Sequence, residues 1–297
     1  MKLRIGTRRS KLALWQSNLV ADKLRLQGVD TELVEIESFG DKVQDLPLHK
    51  LGDKGVFTKA LDDALLAEEI DLAVHSLKDV PTILEQGLSL TAVLKRANPI
   101  DVLVEPKNYQ EEQYPKTIAT GSIRRSAFWK NKFPKDEVVD LRGNVPTRLN
   151  KVDTLDWDGA IFAYAGLDRL GLGDRISKEL SWMIPAPSQG AIGIITKSSY
   201  RFNEVISSLN DFNTRACVDI ERAFLRKLDA GCSSPVGALA EVHGSKLIFK
   251  GAVLSIDGTQ RVDIQEEMKL DEASENSGVE FAKKVIDQGA ADLLSNN

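Results

Sequence analysis

Cysteine is scarce, with two residues in 297, Cys217 and Cys232. Neither sits in a Cys-x-x-Cys pair, so a disulfide framework is excluded and a reducing compartment is expected. Three scattered histidines and two lone cysteines leave no cluster with familiar metal-ligand spacing, and no metal is expected. No apolar run approaches the ~20 residues that cross a bilayer. The start, MKLRIGTRRSKL, is charged from Lys2 onward and lacks the apolar core of a signal peptide. A cytoplasmic protein with no membrane partner is the expectation. Nor is there an excess of positive charge: 39 Lys and Arg stand against 44 Asp and Glu, a net −5. That balance speaks against general nucleic-acid binding.

What is present is an ordinary globular mixture, 42% hydrophobic and 28% charged. At ~150 residues per domain, two domains or three small ones are expected. LRIG (Leu3–Gly6), ELVEIES (Glu32–Ser38) and DLAVHSL (Asp71–Leu77) read as strands between turn signals. Lys11–Gln27 and Val56–Glu68 between them carry apolar residues at helical spacing. This βαβα pattern implies a largely parallel sheet with helices on its faces. It resumes with DVLVE (Asp101–Glu105), TIAT (Thr117–Thr120), EVVDL (Glu137–Leu141) and GAIFAYAGL (Gly159–Leu167). Breaks fall at Arg96–Ile100 and in the proline-rich stretch Met183–Gln189. A long helical pattern then covers Asn203–Leu228, followed by strand-like runs at Lys246–Ile256 and Gln260–Lys269 and a helix from about Gly278 to Leu294. The last third therefore reads as a small α+β unit.

The placement of the arginines matters more than their number. Thr7-Arg8-Arg9-Ser10 follows the first strand and opens the first helix. Thr120-Gly121-Ser122-Ile123-Arg124-Arg125 does the same after TIAT, Arg142-Gly143-Asn144 follows EVVDL with Arg148 beyond it, and Arg169 follows GAIFAYAGL. In an open α/β sheet the carboxyl ends of the strands frame the ligand crevice. Helix N-termini there offer N–H groups, and arginine offers a planar fork for carboxylate or phosphate. One such arginine is ordinary surface chemistry; four junctions repeating it point to a ligand with several negative charges. No GxxxxGK[ST] and no complete GxGxxG accompanies them, so carboxylates spread along a ligand fit better than one phosphate.

His75-Ser76-Leu77-Lys78-Asp79-Val80-Pro81 closes a buried strand, and Pro81 prevents its continuation. Lys78 and Asp79 are thereby held at the sheet's carboxyl edge. Asp79 reads as a general acid or as a carboxylate stabilising a developing cation; the alternative is a turn-capping residue. His75, inside the strand, reads as a satisfied core histidine. Cys217 lies mid-helix among apolar neighbours and reads as core. Cys232, in Ala230-Gly231-Cys232-Ser233-Ser234-Pro235, lies in a turn-rich loop and is either a nucleophile for covalent attachment or an unremarkable loop cysteine.

Taken together, these motifs resemble the porphobilinogen deaminase (hydroxymethylbilane synthase) family. The resemblance is carried by Thr7–Gln16, Lys54–Lys59, His75–Pro81, Gly121–Arg125, Leu141–Asn144, Ala165–Gly171 and Gly231-Cys232, in family order over nearly the whole chain. Two places depart from the family pattern: Thr-Gly-Ser-Ile-Arg-Arg replaces Thr-Ser-Ser-Leu-Arg-Arg, and Pro187-Ser188-Gln189-Gly190 replaces Val-Gly-Gln-Gly. The resemblance implies a fold of two hinged, doubly wound α/β domains of the periplasmic-binding-protein kind plus a small α+β C-terminal domain. Their extents would be 1–95 with 191–207, 100–185 and 213–297. It implies a transferase of heme and tetrapyrrole biosynthesis that joins four porphobilinogen molecules head to tail, with loss of ammonia, and releases hydroxymethylbilane. The chain would grow on a dipyrromethane cofactor held by a thioether to Cys232. Asp79 would be the catalytic acid, stabilising azafulvenium and pyrrolenine cations. Lys78, Thr120, Ser122, Arg124 and Arg125 would bind cofactor carboxylates, and Arg8, Ser10, Arg142, Arg148 and Arg169 the incoming or elongating pyrroles. The stretch 39–55, with Lys50 and Lys54, would be a mobile active-site loop, and the protein a monomer. A two-domain anion-binding protein without catalysis would explain the arginines equally, but not the Gly-Cys loop.

Overall fold

A computed structural model describes residues 2–38, 58–109, 114–231 and 234–295. In chain order the first elements are β1 (Lys2–Thr7), α1 (Lys11–Leu26), β2 (Asp30–Glu35), α2 (Lys59–Leu66), β3 (Leu72–Ser76) and β4 (Leu88–Val93). Next come β5 (Asp101–Val104), β6 (Thr117–Ala119), α3 (Ile123–Lys132), β7 (Glu137–Val139), α4 (Val145–Thr154), β8 (Gly159–Ala163), α5 (Tyr164–Asp168) and β9 (Lys178–Glu179). The chain continues through β10 (Ile192–Lys197), α6 (Asn203–Ser207), α7 (Phe212–Lys227), β11 (Val236–His243), β12 (Lys246–Leu254), β13 (Arg261–Lys269), α8 (Glu275–Val285) and α9 (Ala291–Ser295).

Two five-stranded sheets result, ordered β2-β1-β3-β10-β4 and β7-β6-β8-β5-β9, with a three-stranded antiparallel sheet β11-β12-β13. Apolar clusters lie on both faces of each larger sheet, as doubly wound layers require. The third sheet buries one cluster with α7 and α8, centred on Phe224, Phe249 and Phe281. Among the described residues no helix is long and apolar enough to cross a membrane.

Each larger sheet is largely parallel, four strands running one way, with a single strand reversed, and the reason for the reversal is topological. β1 pairs in parallel with β2 and β3, and β6 with β7 and β8. β5 starts with Asp101 opposite Ala163, the last residue of β8, and β10 starts with Ile192 opposite Ser76, the last residue of β3. Each is reached by a crossing segment, 94–100 or 185–191, that enters its sheet at the carboxyl edge of the parallel strands. Each must therefore run backwards, and the two carboxyl edges face each other across the crossings.

Other local readings also shift. GAIFAYAGL is a strand only as far as Ala163 and then turns into α5. Asn203–Leu228 is two helices; Asp211 caps the second by accepting from the Thr214 N–H at 2.8 Å. The C-terminal sheet has a third strand, β11, whose Gly and Ala content is weak strand-forming sequence. The last helix begins at Glu275 and is interrupted at Gly289, whose φ of 96° is left-handed.

Candidate active site

The acid is placed by β3. Leu72–His75 are buried in the first sheet, and the chain then tightens into a 3-10 turn at Leu77–Asp79. Pro81 has no N–H to extend the ladder, so Lys78 and Asp79 stand on the carboxyl edge. Asp79 lines an open cavity of about 80 Å³ together with Arg8, Ser10, Gln16, Thr58 and His75. Ser10 caps α1, its Oγ accepting from the Ala13 N–H at 3.2 Å, which leaves its hydroxyl hydrogen available to the cavity.

His75 departs from its sequence reading. It is buried but not satisfied: its Nε2 has no hydrogen-bond partner, and the ring faces the same cavity as Asp79. Burial, helped by the nearby Arg8 charge, pushes its pKa down to about 4, so the ring is neutral near pH 7.

Across the crevice, Asp101 is a completely buried carboxylate at the start of β5. It accepts from Arg124 Nη1 at 2.7 Å, Arg125 Nε at 2.9 Å and Gln189 Nε2 at 2.9 Å. Burial alone would raise its pKa; the guanidiniums of Arg124 and Arg125 outweigh that and hold it well below the usual carboxylate range. Arg124 Nη1 also donates to the Ile184 carbonyl and Arg125 Nη1 to that of Ile161, while Arg124 Nε has no hydrogen-bond partner. Both arginines thus stand at the α3 N-terminus, anchored from behind. Ser122 caps that helix by accepting from the Arg125 N–H at 3.4 Å, and Thr120 Oγ1 accepts from the Ser122 N–H at 3.2 Å.

Gln189 joins the two sides. Its Oε1 accepts from Lys78 Nζ at 3.2 Å, and its Nε2 donates to Asp101 and, at 2.6 Å, to the Pro99 carbonyl. Burial, then the Arg125 charge, lowers the Lys78 pKa from 10.5 to about 8, with Asp79 and Asp101 pulling the other way. Arg148 donates through Nε to the Gly143 carbonyl at 2.7 Å, and burial followed by the charges of Arg125 and Arg142 brings it to about 10. Arg142 pairs with Asp140 at 3.2 Å. Arg169 donates to the Gly190 carbonyl at 2.7 Å, sits 5.6 Å above the Trp15 ring of α1, and is lowered by burial to about 10. Gly190 itself has φ +86°, and a Cβ there would lie 2.6 Å from the Ala97 carbonyl oxygen, so the two crossings touch.

Of the residues singled out from sequence, Lys78, Asp79, Arg124, Arg125, Arg142 and Arg148 share one electrostatic neighbourhood, with Arg8 and Ser10 on its first-sheet side. Arg169 stands further along, at the crossing. Cys217 is buried in α7 and its thiol is pushed up to about 12, first by burial and then by Glu221, as befits core. Cys232 and the stretch 39–55 with Lys50 and Lys54 lie outside the described residues. Sequence reasoning missed Asp101, Gln189, Gln16 and Glu221. The last is completely buried, pairing with Arg96 and accepting from the N–H groups of Ser188 and Ala240. Asp101 did carry a signal, since a charge opening an apolar strand must find a partner when buried.

Two family models match the chain: porphobilinogen deaminase, dipyromethane cofactor binding domain, over residues 3–203, and porphobilinogen deaminase, C-terminal domain, over 215–287. Relatives named porphobilinogen deaminase include that of Carboxydothermus hydrogenoformans, 40% identical over 98% of this chain and 95% of its own. Those of Syntrophomonas wolfei (41%; 98% and 97%) and Syntrophotalea carbinolica (42%; 99% and 95%) are similar over comparable shares. Among solved structures, the methionine-binding protein MetQ covers 70% of this chain with 89% of its own, at 12% identity and a TM-score of 0.45.

Proposed function

The chain belongs to the porphobilinogen deaminase family, and from that premise we propose how its own residues carry out the family's reaction. The enzyme is a transferase of tetrapyrrole biosynthesis that joins four porphobilinogen molecules on a dipyrromethane cofactor with loss of ammonia and releases hydroxymethylbilane by hydrolysis. One observation carries the site reading: Lys78, donating to Gln189 Oε1 at 3.2 Å, and Arg124 and Arg125, anchored on Asp101 at 2.7 and 2.9 Å, bring their positive charges together beside Asp79, and burial lowers the Lys78 pKa to about 8. Such a crevice favours bound carboxylates, and every pyrrole of this chemistry bears an acetate and a propionate.

The crevice fits the cofactor on its own chemistry. Arg124 Nε is a buried donor with no hydrogen-bond partner, and Lys78, from the first sheet, is near enough to feel the charges of Arg124, Arg125 and Asp101. We assign Lys78, Thr120, Ser122, Arg124 and Arg125 to the cofactor carboxylates and the thioether to Cys232. When bound, the cofactor supplies the pyrrole carbon to which substrate units are joined. Arg8 and Ser10, in the cavity with Asp79, would receive the incoming porphobilinogen, while Arg142, Arg148 and Arg169 would hold carboxylates of rings already added. Asp79, a carboxylate in a crevice where charge is poorly screened, stabilises the positive charge left on the substrate methylene as ammonia departs. A carboxylate already fixed in place costs no reorganisation as that charge develops.

We take 1–95 with 191–207, 100–185 and 213–297 as the working units, hinged at the crossings, since each larger sheet has its own two apolar faces. We read the protein as a cytoplasmic monomer without a nucleic-acid partner, in keeping with its net charge of −5. The test is intact mass together with turnover. Wild-type protein should exceed its sequence mass by two pyrrole units. Asp79→Asn should remain folded and cofactor-loaded yet lose turnover by orders of magnitude, each ~1.4 kcal/mol being tenfold. Near-normal turnover in Asp79→Asn would reduce it to a turn residue.

A further inference from the structure

We propose that Arg222 is a positioning residue that fixes the segment carrying Asp79 against α7; the inference rests on the role read above for Asp79. Arg222 lies on α7 and is 7% exposed. Its Nη1 donates to the Val80 carbonyl at 3.1 Å and its Nη2 to the Pro81 carbonyl at 2.6 Å. One helical turn on, Arg226 Nη1 donates to the Thr82 carbonyl at 3.4 Å while its Nη2 pairs with Glu275 at 2.7 Å. Three successive carbonyls directly after Asp79 are therefore held from a single helix.

That segment needs an external hold. The 3-10 turn ends at Asp79, and Pro81 cannot donate to the β-ladder. A guanidinium suits the task because its rigid planar fork puts a separate nitrogen, at fixed spacing, on each of two carbonyls. The helix that provides it is 16 residues long, Phe212–Lys227. One rigid element thus holds the segment that carries the acid, and Arg222 is where the position of Asp79 is fastened. Misplacement of ~1 Å in a reacting geometry can cost about 10²-fold in rate.

The experiment uses the full-length, cofactor-loaded enzyme with Arg222→Gln and Arg222→Lys, each alone and each combined with Asp79→Asn. Intact mass should show the cofactor retained. For Arg222→Gln, kcat per folded molecule should fall roughly 10- to 100-fold with KM little changed, and Arg222→Lys should recover part of the loss. In the Asp79→Asn background, Arg222→Gln should add less than about twofold to the loss, because a residue acting through Asp79 has nothing left to position. Losses that multiply would overturn the proposal, as would a normal kcat in Arg222→Gln beside a crippled Asp79→Asn. Normal turnover in Asp79→Asn alone would instead strike at the reading of the acid, and this inference would fall with it. If Arg222→Gln does not fold, Arg222→Lys carries the same comparison at smaller amplitude.

Discussion

Lys78 offers a quantitative test of whether the crevice is built for anions. In an unfolded chain its ammonium titrates near its ordinary value, whereas in the folded protein burial and then Arg125 bring the pKa from 10.5 to about 8. Between those two pH values the unfolded state binds more protons than the folded one, so stability rises with pH across that window. Below about pH 8 the destabilisation is present in full. At about 1.4 kcal/mol per pH unit it amounts to roughly 3 kcal/mol. Lys78→Met removes it and also removes the hydrogen bond to Gln189 Oε1 at 3.2 Å, a loss of about 1 kcal/mol. In cofactor-free protein, prepared as Cys232→Ser, the substitution should therefore stabilise by roughly 2 kcal/mol at pH 7, and the advantage should vanish by about pH 10. In cofactor-loaded enzyme the sign should reverse, since a bound carboxylate turns the buried ammonium into half of an ion pair. Urea unfolding of all four proteins at pH 7 and pH 10 measures this. A Lys78→Met variant less stable than its cofactor-free parent at pH 7 would refute the reasoning.

Three further outcomes are expected. Asp101→Asn leaves two buried guanidiniums without their carboxylate, so chemical denaturation should show a loss of about 3–5 kcal/mol, far more than a surface Asp→Asn change. Cys232→Ser should have the bare sequence mass and no Ehrlich colour, while Cys217→Ser, in the core, should keep both; cofactor retained in Cys232→Ser would sink the anchor assignment. Arg124→His should block cofactor assembly, whereas Arg169→His should keep the cofactor and accumulate partly elongated complexes in native mass spectra, because losing one charge-assisted pair costs about 1.5–3 kcal/mol only at the step where the pair forms. Identical ladders from those two variants would contradict a staged site.

Local chemistry carries its own address, and the strand-to-helix junctions were legible for that reason. Ser10, Ser122 and Asn144 cap helices because a short polar side chain before an apolar-periodic run satisfies N–H groups that nothing else can reach. Pro81 ends a strand wherever it is placed, so Asp79 had to sit at a sheet edge. The order of family motifs along the chain likewise needed no coordinates. The last helix begins at Glu275 rather than Gly278 because its first turn, Glu275-Asn276-Ser277, is polar and shows no apolar period, whereas α5 is blurred because the apolar end of GAIFAYAGL satisfies either period.

What only the tertiary structure decided is pairing at a distance. Asp101 meets Arg124 and Arg125 across 23 and 24 residues, and Gln189 reaches Lys78 across 111. Arg222 holds Val80 across 142. No periodicity encodes such contacts, because they arise where two crossing segments bring separate sheets edge to edge. The same crossings reverse β5 and β10 and so make both sheets mixed. His75 shows the limit most plainly. Its place inside a buried strand was readable from the sequence, but whether its ring nitrogen found a partner depended on the cavity that Arg8, Gln16 and Asp79 close around it. Composition and spacing determined which chemistry this chain could perform; the burial that lowers Lys78 and His75, and the fork that holds the Val80 and Pro81 carbonyls, exist only once desolvation and distance are set by the assembled fold.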